Sequence, residues 1–252
     1  MDALNTREIR DAGTLESHWL AWLDGQRFPP ASVDELCPGP SRLVVVAPHP
    51  DDEVLACGGL LAMRAERGLS SLVVAVTDGE ASHGAIDPPA RARLSARRVA
   101  ESHAGLEVLG LAPSCVTRLG IPDGEVAQLV PSMVGKLLSL LRPSDVVVTT
   151  WALDGHPDHE ASSTAAQQAI VVMGCRLLQA PVWMWHWASP ADPRVPWTNL
   201  VALDLPERAL SAKRLALSRH QSQLENRGDG VGPVLIPSIV ERSTRVREYF
   251  FS

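Results

Sequence analysis

The stretch Leu43-Val44-Val45-Val46-Ala47-Pro48-His49-Pro50-Asp51-Asp52-Glu53 decides the fold. Its first five residues are apolar and rich in β-branched side chains, which predicts a buried strand over Leu43–Ala47. Residues 54–67 look helical and end at Gly68. A histidine and three acids therefore crowd the turn between a core strand and a helix. The simplest explanation is a metal site with an acid–base group beside its ligands.

The rest of the chain continues this alternation of strand and helix. Further strands are predicted at Leu72–Val76, Cys115–Leu119, Asp145–Thr149 and Val182–Trp187, and further helices at 88–110, 126–141, 158–173 and 206–219. This order predicts an α/β fold, a Rossmann-like three-layer α/β/α domain with a mostly parallel sheet. A late strand at Leu200–Leu203 suits an antiparallel position. We expect one domain over 1–252, with residues 1–40 as an extension whose helix, Thr14–Leu23, packs on it.

Size, charge and cysteine content exclude several classes of protein. The 252 residues suffice for one large core, and a net charge of −6 without a charged block argues against nucleic acid or an anionic membrane as partner. No apolar run approaches the ~18 residues that span a bilayer. The four cysteines lie far apart without a CxxC pair, which favours free thiols. We expect a cytoplasmic protein, and the sequence leaves homo-oligomerisation open.

The chemically loaded segments all follow predicted strands. They are 49–53, 77–83, Asp123 and 154–159. Ligands of open α/β sheets bind beyond the carboxyl ends of the strands, so these four loops are expected to form one pocket. The last of them contains His156-Pro157-Asp158-His159. Two histidines and a carboxylate make a three-ligand site with an open position, as in catalytic zinc sites, although such a site also accepts Fe²⁺ or Co²⁺.

The pair of motifs PHPDDE (48–53) and HPDHE (156–160) resembles the signature of the LmbE-like, or PIG-L, zinc-dependent N-deacetylases. The resemblance extends from about residue 41 to the end of the chain. It implies an LmbE-like fold and removal of an acetyl group from an N-acetylglucosaminyl compound. It also implies Zn²⁺ as cofactor and a small-molecule amino sugar as the binding partner.

Carried over position by position, the resemblance implies roles for five residues. His49, Asp52 and His159 would be the metal ligands. Asp51 would be the general base that takes a proton from the attacking water. His156 would stabilise the oxyanion or protonate the departing amine as general acid.

Four further residues match the family less specifically. Arg98 matches an arginine that faces the sugar, and Asp123 matches an acid that contacts sugar hydroxyls. Asp78 and Glu80 lie in a segment that resembles a family loop near the pocket. The simpler alternatives are a solvated helix face for Arg98 and an Asp-Gly turn for the segment around Asp78.

Structural explanations compete for several of these side chains. Aspartate caps helices and acids favour a first helical turn, which accounts for Asp51 and Asp52 but not for His49. We prefer this explanation for Glu160, and we leave open whether Glu53 braces the loop or supports the metal site. Asp158 stays open as a group that orients a ligand. The alternating tryptophans of 183–187 favour a core or edge strand over an aromatic platform for a sugar ring or an acyl chain.

The leading hypothesis is a zinc-dependent N-deacetylase of an amino sugar. One alternative keeps the chemistry but takes a thiol-sugar conjugate or a glycopeptide sugar, with specificity set by residues 1–40 and the loop at 221–237. Another is a module that binds sugar or metal without catalysis. A dinucleotide-binding oxidoreductase is disfavoured, because PHPDDE replaces the GxGxxG turn and its acids would repel a pyrophosphate.

Overall fold

The computed structural model describes residues 7–9, 11–227 and 230–252. The strands are β1 Leu43–Ala47, β2 Ser71–Ala75, β3 Val116–Arg118, β4 Val146–Thr150, β5 Arg176–Ala180, β6 Leu200–Asp204 and β7 Arg247–Phe251. The α-helices are α1 Glu16–Asp24, α2 Val33–Leu36, α3 Asp52–Glu66, α4 Pro88–Val108, α5 Val130–Leu140, α6 Pro157–Met173, α7 Met184–Trp187, α8 Glu207–Leu217, α9 Gln221–Leu224 and α10 Pro237–Ser243.

The strands form one sheet in the order β3-β2-β1-β4-β5-β7-β6. Strands β1 to β5 are parallel, whereas β7 runs antiparallel to both β5 and β6. The apolar run Leu43–Ala47 is the central strand, between β2 and β4. Its pairing with β4 places the chain that follows β1 beside the chain that follows β4.

Helices cover both faces of the sheet. Along β1, Val44 and Val46 enter the core beneath α5 and α6, while Leu43, Val45 and Ala47 enter the core beneath α3 and α8. This alternation is the two-residue period of a strand buried on both sides. The three-layer, mostly parallel α/β fold predicted from the sequence is confirmed.

A break inside α3 is stabilised by a buried ion pair. The backbone leaves helical geometry at Cys57 (φ −151°, ψ 29°). The N–H groups of Gly59 and Leu60 donate to the Glu248 carboxylate at 2.7 and 2.9 Å. Lys213 Nζ lies 2.7 Å from the same carboxylate. Lys213 Nζ also donates to the carbonyl of Leu55. The groups that the break frees therefore find partners on α8 and β7.

The antiparallel end of the sheet carries the described part of the predicted extension. Trp19 of α1 is fully buried, and its Nε1 donates to the carbonyl of Trp185 at 2.8 Å. Pro30 forms a parallel bridge with Ala202 of β6. A third core cluster, rich in tryptophan, joins α1 to β6 and β7. Within the described residues, all four cysteines are free, and none of the helices has the length and hydropathy needed to cross a membrane.

The prediction of a strand over Val182–Trp187 is wrong. The fifth strand is Arg176–Ala180, and residues 184–187 form the short helix α7. The cause is Asp154, whose buried carboxylate accepts the N–H groups of Val182, Trp183 and Met184 at 2.9 to 3.0 Å. Those N–H groups are therefore unavailable to a sheet, and the chain turns there into a helix.

Candidate metal centre

The turn after β1 is shaped by its own acids. Asp52 begins α3, and its Oδ2 accepts the backbone N–H of His49 at 2.9 Å. Asp51 occupies the N-cap position of α3, but its side chain caps no helical N–H group. Its φ of 123° is also unusual for a residue with a side chain, and such strain is commonly found at functional sites. Helix capping therefore does not explain Asp51.

The turn after β4 supplies the second cluster. His156 caps α6, its Nδ1 accepting the N–H of Asp158 at 3.3 Å. His159, one turn into the helix, is completely buried, and its Nδ1 lies 2.8 Å from Oδ2 of Asp154. The opposite nitrogen, Nε2, is buried and lies 3.2 Å from Oδ2 of Asp52, but it makes no well-aligned hydrogen bond. Carboxylates commonly orient metal-binding histidines in this way.

Sequence reasoning did not single out Asp154 as a site residue. It is fully buried, and it both holds His159 and organises the start of α7. The available signal was an aspartate five residues before a candidate ligand in a segment already rich in acids. Nothing in that spacing shows that the carboxylate turns inward.

The two clusters meet above the paired ends of β1 and β4. Oδ2 of Asp52 lies 3.2 Å from Nδ1 of His49 and 3.2 Å from Nε2 of His159. His49, His156 and His159 each place one ring nitrogen within 4.8 Å of the others, and His49, Asp123 and Asp158 do the same with their ligand atoms. The three predicted ligands are thus in contact, and the potential donors around them are more numerous than three.

The charges of this cluster attract a cation. Burial works against a charged His49 ring, yet Asp123, Asp158 and Asp52 outweigh it and raise the pKa of His49 well above its usual value. Burial also disfavours ionised Asp52, but His159 and His49 hold its pKa well below the usual range. A buried group of carboxylates around two imidazoles is stabilised by positive charge at its centre.

Asp51 lies beside this group in a different environment. Burial raises its pKa to about 7, and the Arg98 guanidinium opposes that rise. Arg98 Nη2 lies 3.2 Å from Oδ2 of Asp51 and donates to the carbonyl of Pro50 at 2.7 Å. Glu53 accepts the N–H of Asp51 and the hydroxyl of Ser102, so it braces the turn.

These two motifs and the strands that carry them match a known family. The family described as PIG-L, GlcNAc-PI de-N-acetylase, matches residues 44–170. The chain belongs to the PIG-L family. The resemblance drawn from the two motifs is therefore confirmed, and the matched region extends from β1 through α6, including both clusters.

Relatives of this PIG-L chain include named deacetylases. A 1D-myo-inositol 2-acetamido-2-deoxy-alpha-D-glucopyranoside deacetylase of Kineococcus radiotolerans is 27% identical over 238 residues, 80% of this chain and 61% of that protein. A probable N-acetyl-alpha-D-glucosaminyl L-malate deacetylase 2 of Bacillus anthracis is 27% identical over 138 residues, 52% of this chain and 60% of that protein. The chain thus spans about 60% of the length of these curated relatives.

Solved structures share the fold of this PIG-L chain. The crystal structure of the A40926 pseudoaglycone deacetylase Dbv21 aligns with a TM-score of 0.63 and 22% sequence identity, covering 84% of this chain and 96% of the other. At that identity, the likeness supports the fold and leaves the substrate to be argued from the site.

A cavity of about 520 Å³ opens above the PIG-L motifs, a size that suits a small ligand. The predicted residues that line it are His49, Asp51, Asp52, Arg98, Asp123, His156 and His159. Asp123 places Oδ1 3.1 Å from Nε2 of His49, and its Oδ2 accepts the N–H of Ala81. Glu80 lies behind it, accepting the N–H of Asp123 at 3.0 Å.

Asp78 and Glu160 are engaged away from the metal ligands. Asp78 pairs with Arg118, accepts the hydroxyl of Ser95, and lines a separate small cleft. Glu160 accepts the N–H of Gly155 at 2.9 Å, in agreement with the structural role preferred for it. Trp183 lines the cavity, whereas Trp185 is part of the buried tryptophan cluster.

Proposed function

We propose that this protein hydrolyses the N-acetyl, or another small N-acyl, group of an amino sugar conjugate. The observation that carries the proposal is the contact of one Asp52 oxygen with two imidazole nitrogens, with Asp51 and His156 lining the same cavity. The PIG-L relatives are named as deacetylases of N-acetylglucosaminyl compounds, which supports the reaction class.

The residues present fit a divalent metal ion. His49, Asp52 and His159 would hold it, because Nε2 of His159 is buried and faces Oδ2 of Asp52 at 3.2 Å without a well-aligned hydrogen bond, while Asp154 fixes the opposite nitrogen. A bound ion of this kind would supply Lewis acidity, which polarises a carbonyl oxygen and acidifies water. Two imidazoles and a carboxylate suit zinc best, and Fe²⁺ or Co²⁺ also bind such a set.

Asp51 is assigned the proton transfers. Its carboxylate would take a proton from water as the water oxygen bonds to the acyl carbon, and a pKa of about 7 suits a base that works near neutrality. When the C–N bond breaks, the same proton would pass to the amine nitrogen. A free amine and acetic acid leave, the acid giving its remaining proton to the amine or to solvent to become acetate, and Asp51 returns to its ionised form.

His156 is assigned to the oxyanion. Its Nδ1 accepts the N–H of Asp158, so the proton of a neutral ring lies on Nε2. Burial and the neighbouring rings of His159 and His49 lower the pKa of His156 to about 3, which favours that neutral ring. A neutral imidazole N–H would donate to the developing oxyanion. This arrangement supports the first of the two roles predicted for His156.

A polyhydroxylated substrate suits the polar side of the cavity. Asp123 and Arg98 line it together with Ser82 and Gln223, and charged hydrogen-bond partners are those that sugar hydroxyls favour. Thiol-sugar and glycopeptide-sugar conjugates would present the same acetamido group and remain candidates within the proposal.

The test combines metal content with amine release. The purified protein should contain about one zinc ion per chain by elemental analysis, and it should release free amine from N-acetylglucosamine conjugates in a fluorescamine assay. Treatment with a chelator should abolish the release, and added Zn²⁺ should restore it. Retained metal without amine release from any N-acyl amino sugar would instead support a binding module.

Replacement of Asp51 separates catalysis from metal binding. We expect Asp51→Asn to retain the metal and to lose roughly 10²- to 10⁴-fold in turnover, because a general base is removed. Asp78→Asn is the matched control, since Asp78 pairs with Arg118 outside the cavity and should leave turnover unchanged. Wild-type turnover in Asp51→Asn would refute the assignment of the base.

A further inference from the structure

An N-terminal strap contributes one residue, Ile9, to the lining of the cavity. We use this term for the described residues 7–9 and 11–14. At one end, Nε and Nη2 of Arg7 pair with Glu160 of α6 at 3.1 and 3.2 Å. At the other end, the N–H of Thr14 donates to the carbonyl of His186, and the carbonyl of Ala12 accepts Nη2 of Arg242. The strap is thus tied to α6 at one end and to α7 and α10 at the other.

The middle of the strap contributes an apolar side chain to the cavity. Ile9 is half-buried and lines the same space as His156. Trp183 also lines it, with its ring centroid 6.5 Å from that of His156. Apolar surface therefore adjoins the proposed oxyanion donor.

The loop at 230–235 completes this apolar surface. Val234 and Leu235 line the cavity, Val234 being half-buried. Arg227 fixes the loop, because its Nε donates to the carbonyl of Gly232 and its Nη1 to that of Ser82. We name the side chains of Ile9, Trp183, Val234 and Leu235 the apolar wall.

The apolar wall lines the same cavity as the polar metal-centre residues and adjoins them at His156. Aliphatic side chains offer no hydrogen bonds, so a hydroxyl group placed against them would lose its water without compensation. An alkyl or aryl group there would instead remove apolar surface from water on both sides. The apolar and polar linings of one cavity therefore differ in the part of a ligand that each can bind.

We propose that the apolar wall is a subsite for an alkyl or aryl substituent carried by the amino sugar. This inference rests on the proposed function for the identity of the sugar. The substituent has two chemical sources, a group on the anomeric carbon or an acyl chain longer than acetyl on the nitrogen. Ile9 and Val234 are then specificity-determining residues contributed by two segments that flank the catalytic motifs.

Calorimetric titration of the zinc-loaded Asp51→Asn variant, in which hydrolysis during the titration is slow, tests the subsite without relying on turnover, and the substitutions in the apolar wall are made in this background. One series compares methyl, butyl and hexyl glycosides of N-acetylglucosamine below their micelle concentrations. The other compares N-acetyl-, N-butanoyl- and N-hexanoyl-glucosamine. We expect affinity to rise by up to roughly fourfold per methylene buried in one series, which identifies the source of the substituent.

Variants locate the effect on the apolar wall. Ile9→Ser and Val234→Ser should each make the dependence of affinity on chain length shallower, because each variant loses part of the buried apolar area. Affinity for the methyl glycoside should stay within about twofold, because its methyl group buries little apolar surface. Val231→Ser is the matched control, because Val231 lies in the same loop and is 46% exposed. It should keep the wild-type dependence.

The outcomes for the subsite and for the proposed function are separable. Equal affinities along both series, or a chain-length dependence as steep in Ile9→Ser and Val234→Ser as in the wild type, would overturn the subsite even if amine is released. A dependence that the two variants reduce and Val231→Ser does not supports the subsite even if no amine appears, and in that case only the deacetylase proposal fails.

Discussion

At the scale of single residues, the neighbours Asp51 and Asp52 have opposite electrostatic environments. Histidines surround Asp52 and hold its pKa well below the usual range, whereas burial raises that of Asp51 to about 7. The two adjacent carboxyl groups therefore differ in how readily they ionise, the pKa of Asp52 being lowered and that of Asp51 raised. The sequence predicts these separate jobs only through the family resemblance, because two adjacent aspartates look alike in a motif.

For other site residues the sequence does not show burial, on which their contacts depend. Asp154 was not singled out, and Arg98 was predicted only through the family resemblance. Arg98 lies among other arginines on α4, and only the structure shows that it is 3% exposed and reaches Asp51 and the carbonyl of Gly79. Asp154 becomes recognisable once its carboxylate is seen beside His159.

Replacement of Asp154 should weaken metal binding. In Asp154→Asn the carboxylate that orients His159 is lost, and we expect metal affinity to fall by about 10- to 100-fold. Competition with a chromophoric chelator would measure it. Asp145→Asn removes another buried aspartate, at the opposite end of β4 and paired with Arg42, and should leave metal affinity unchanged. Equal losses in both variants would contradict an orienting role.

His220 should make the protein sensitive to acid. It is fully buried, both ring nitrogens lack hydrogen-bond partners, and burial together with the charge of Arg98 lowers its pKa from 6.5 to about 3. Between these values the unfolded chain binds one more proton than the native state. Stability from this group is therefore lost as the pH falls below 6.5, by up to about 1.4 kcal/mol per pH unit.

Urea unfolding of a His220→Gln variant measures this contribution. We expect the dependence of the unfolding free energy on pH to become shallower between about pH 4 and pH 6, relative to the wild type. His18→Gln, on the exposed face of α1, is the control for loss of a histidine. An unchanged slope in His220→Gln would show that His220 takes up its proton in the native state.

At the scale of elements, the predictions are right where hydrophobic periodicity determines the secondary structure. They are wrong where a side chain distant in sequence forms hydrogen bonds with the backbone. Strands β1, β2 and β4 and helices α4 and α6 lie within two residues of their predicted bounds. The strand predicted over Val182–Trp187 fails because Asp154, far away in sequence, binds the N–H groups of that segment. The break in α3 was likewise unpredicted, since its partners lie on α8 and β7.

Removing one partner of the buried ion pair at this break should lower the free energy of unfolding by several kcal/mol. Lys213→Met leaves Glu248 charged and unpaired in the core, and we expect a loss of about 3–5 kcal/mol in unfolding free energy. Arg208→Met, also on α8, removes an exposed pair with Glu66 and should cost less than about 1 kcal/mol. Urea denaturation compares the two, and equal effects would contradict the proposed support of the break.

At the scale of the whole molecule, the sheet order assembles the site. His49 and Asp52 come from the turn that leads into α3 on one face, and His159 comes from α6 on the other. The pairing of β1 with β4 brings them together. The convergence of these loops follows from the parallel alternation and was predicted. The insertion of β7 between β5 and β6 was not, because no local signal specifies its neighbours.

A metal bound by these ligands should link the helical layers on the two faces of the sheet and raise the free energy of unfolding. At a free zinc concentration one hundred times the dissociation constant, binding adds about 2.7 kcal/mol of stability, or roughly 5–10 °C in Tm for a chain of this size. Thermal denaturation with and without chelator measures the shift. His49→Ala should show no metal-dependent shift, and an equal Tm for loaded and stripped wild type would contradict this stabilisation.

The backbone at Asp51 has an evolutionary consequence. Its φ of 123° lies in a region that glycine adopts freely, so Asp51→Gly would relieve strain of order 1–3 kcal/mol while deleting the proposed base. Selection for stability alone would therefore favour loss of the side chain. A descendant that is no longer selected for hydrolysis is expected to acquire glycine at position 51. The residue at this position would therefore indicate whether a lineage still depends on the reaction.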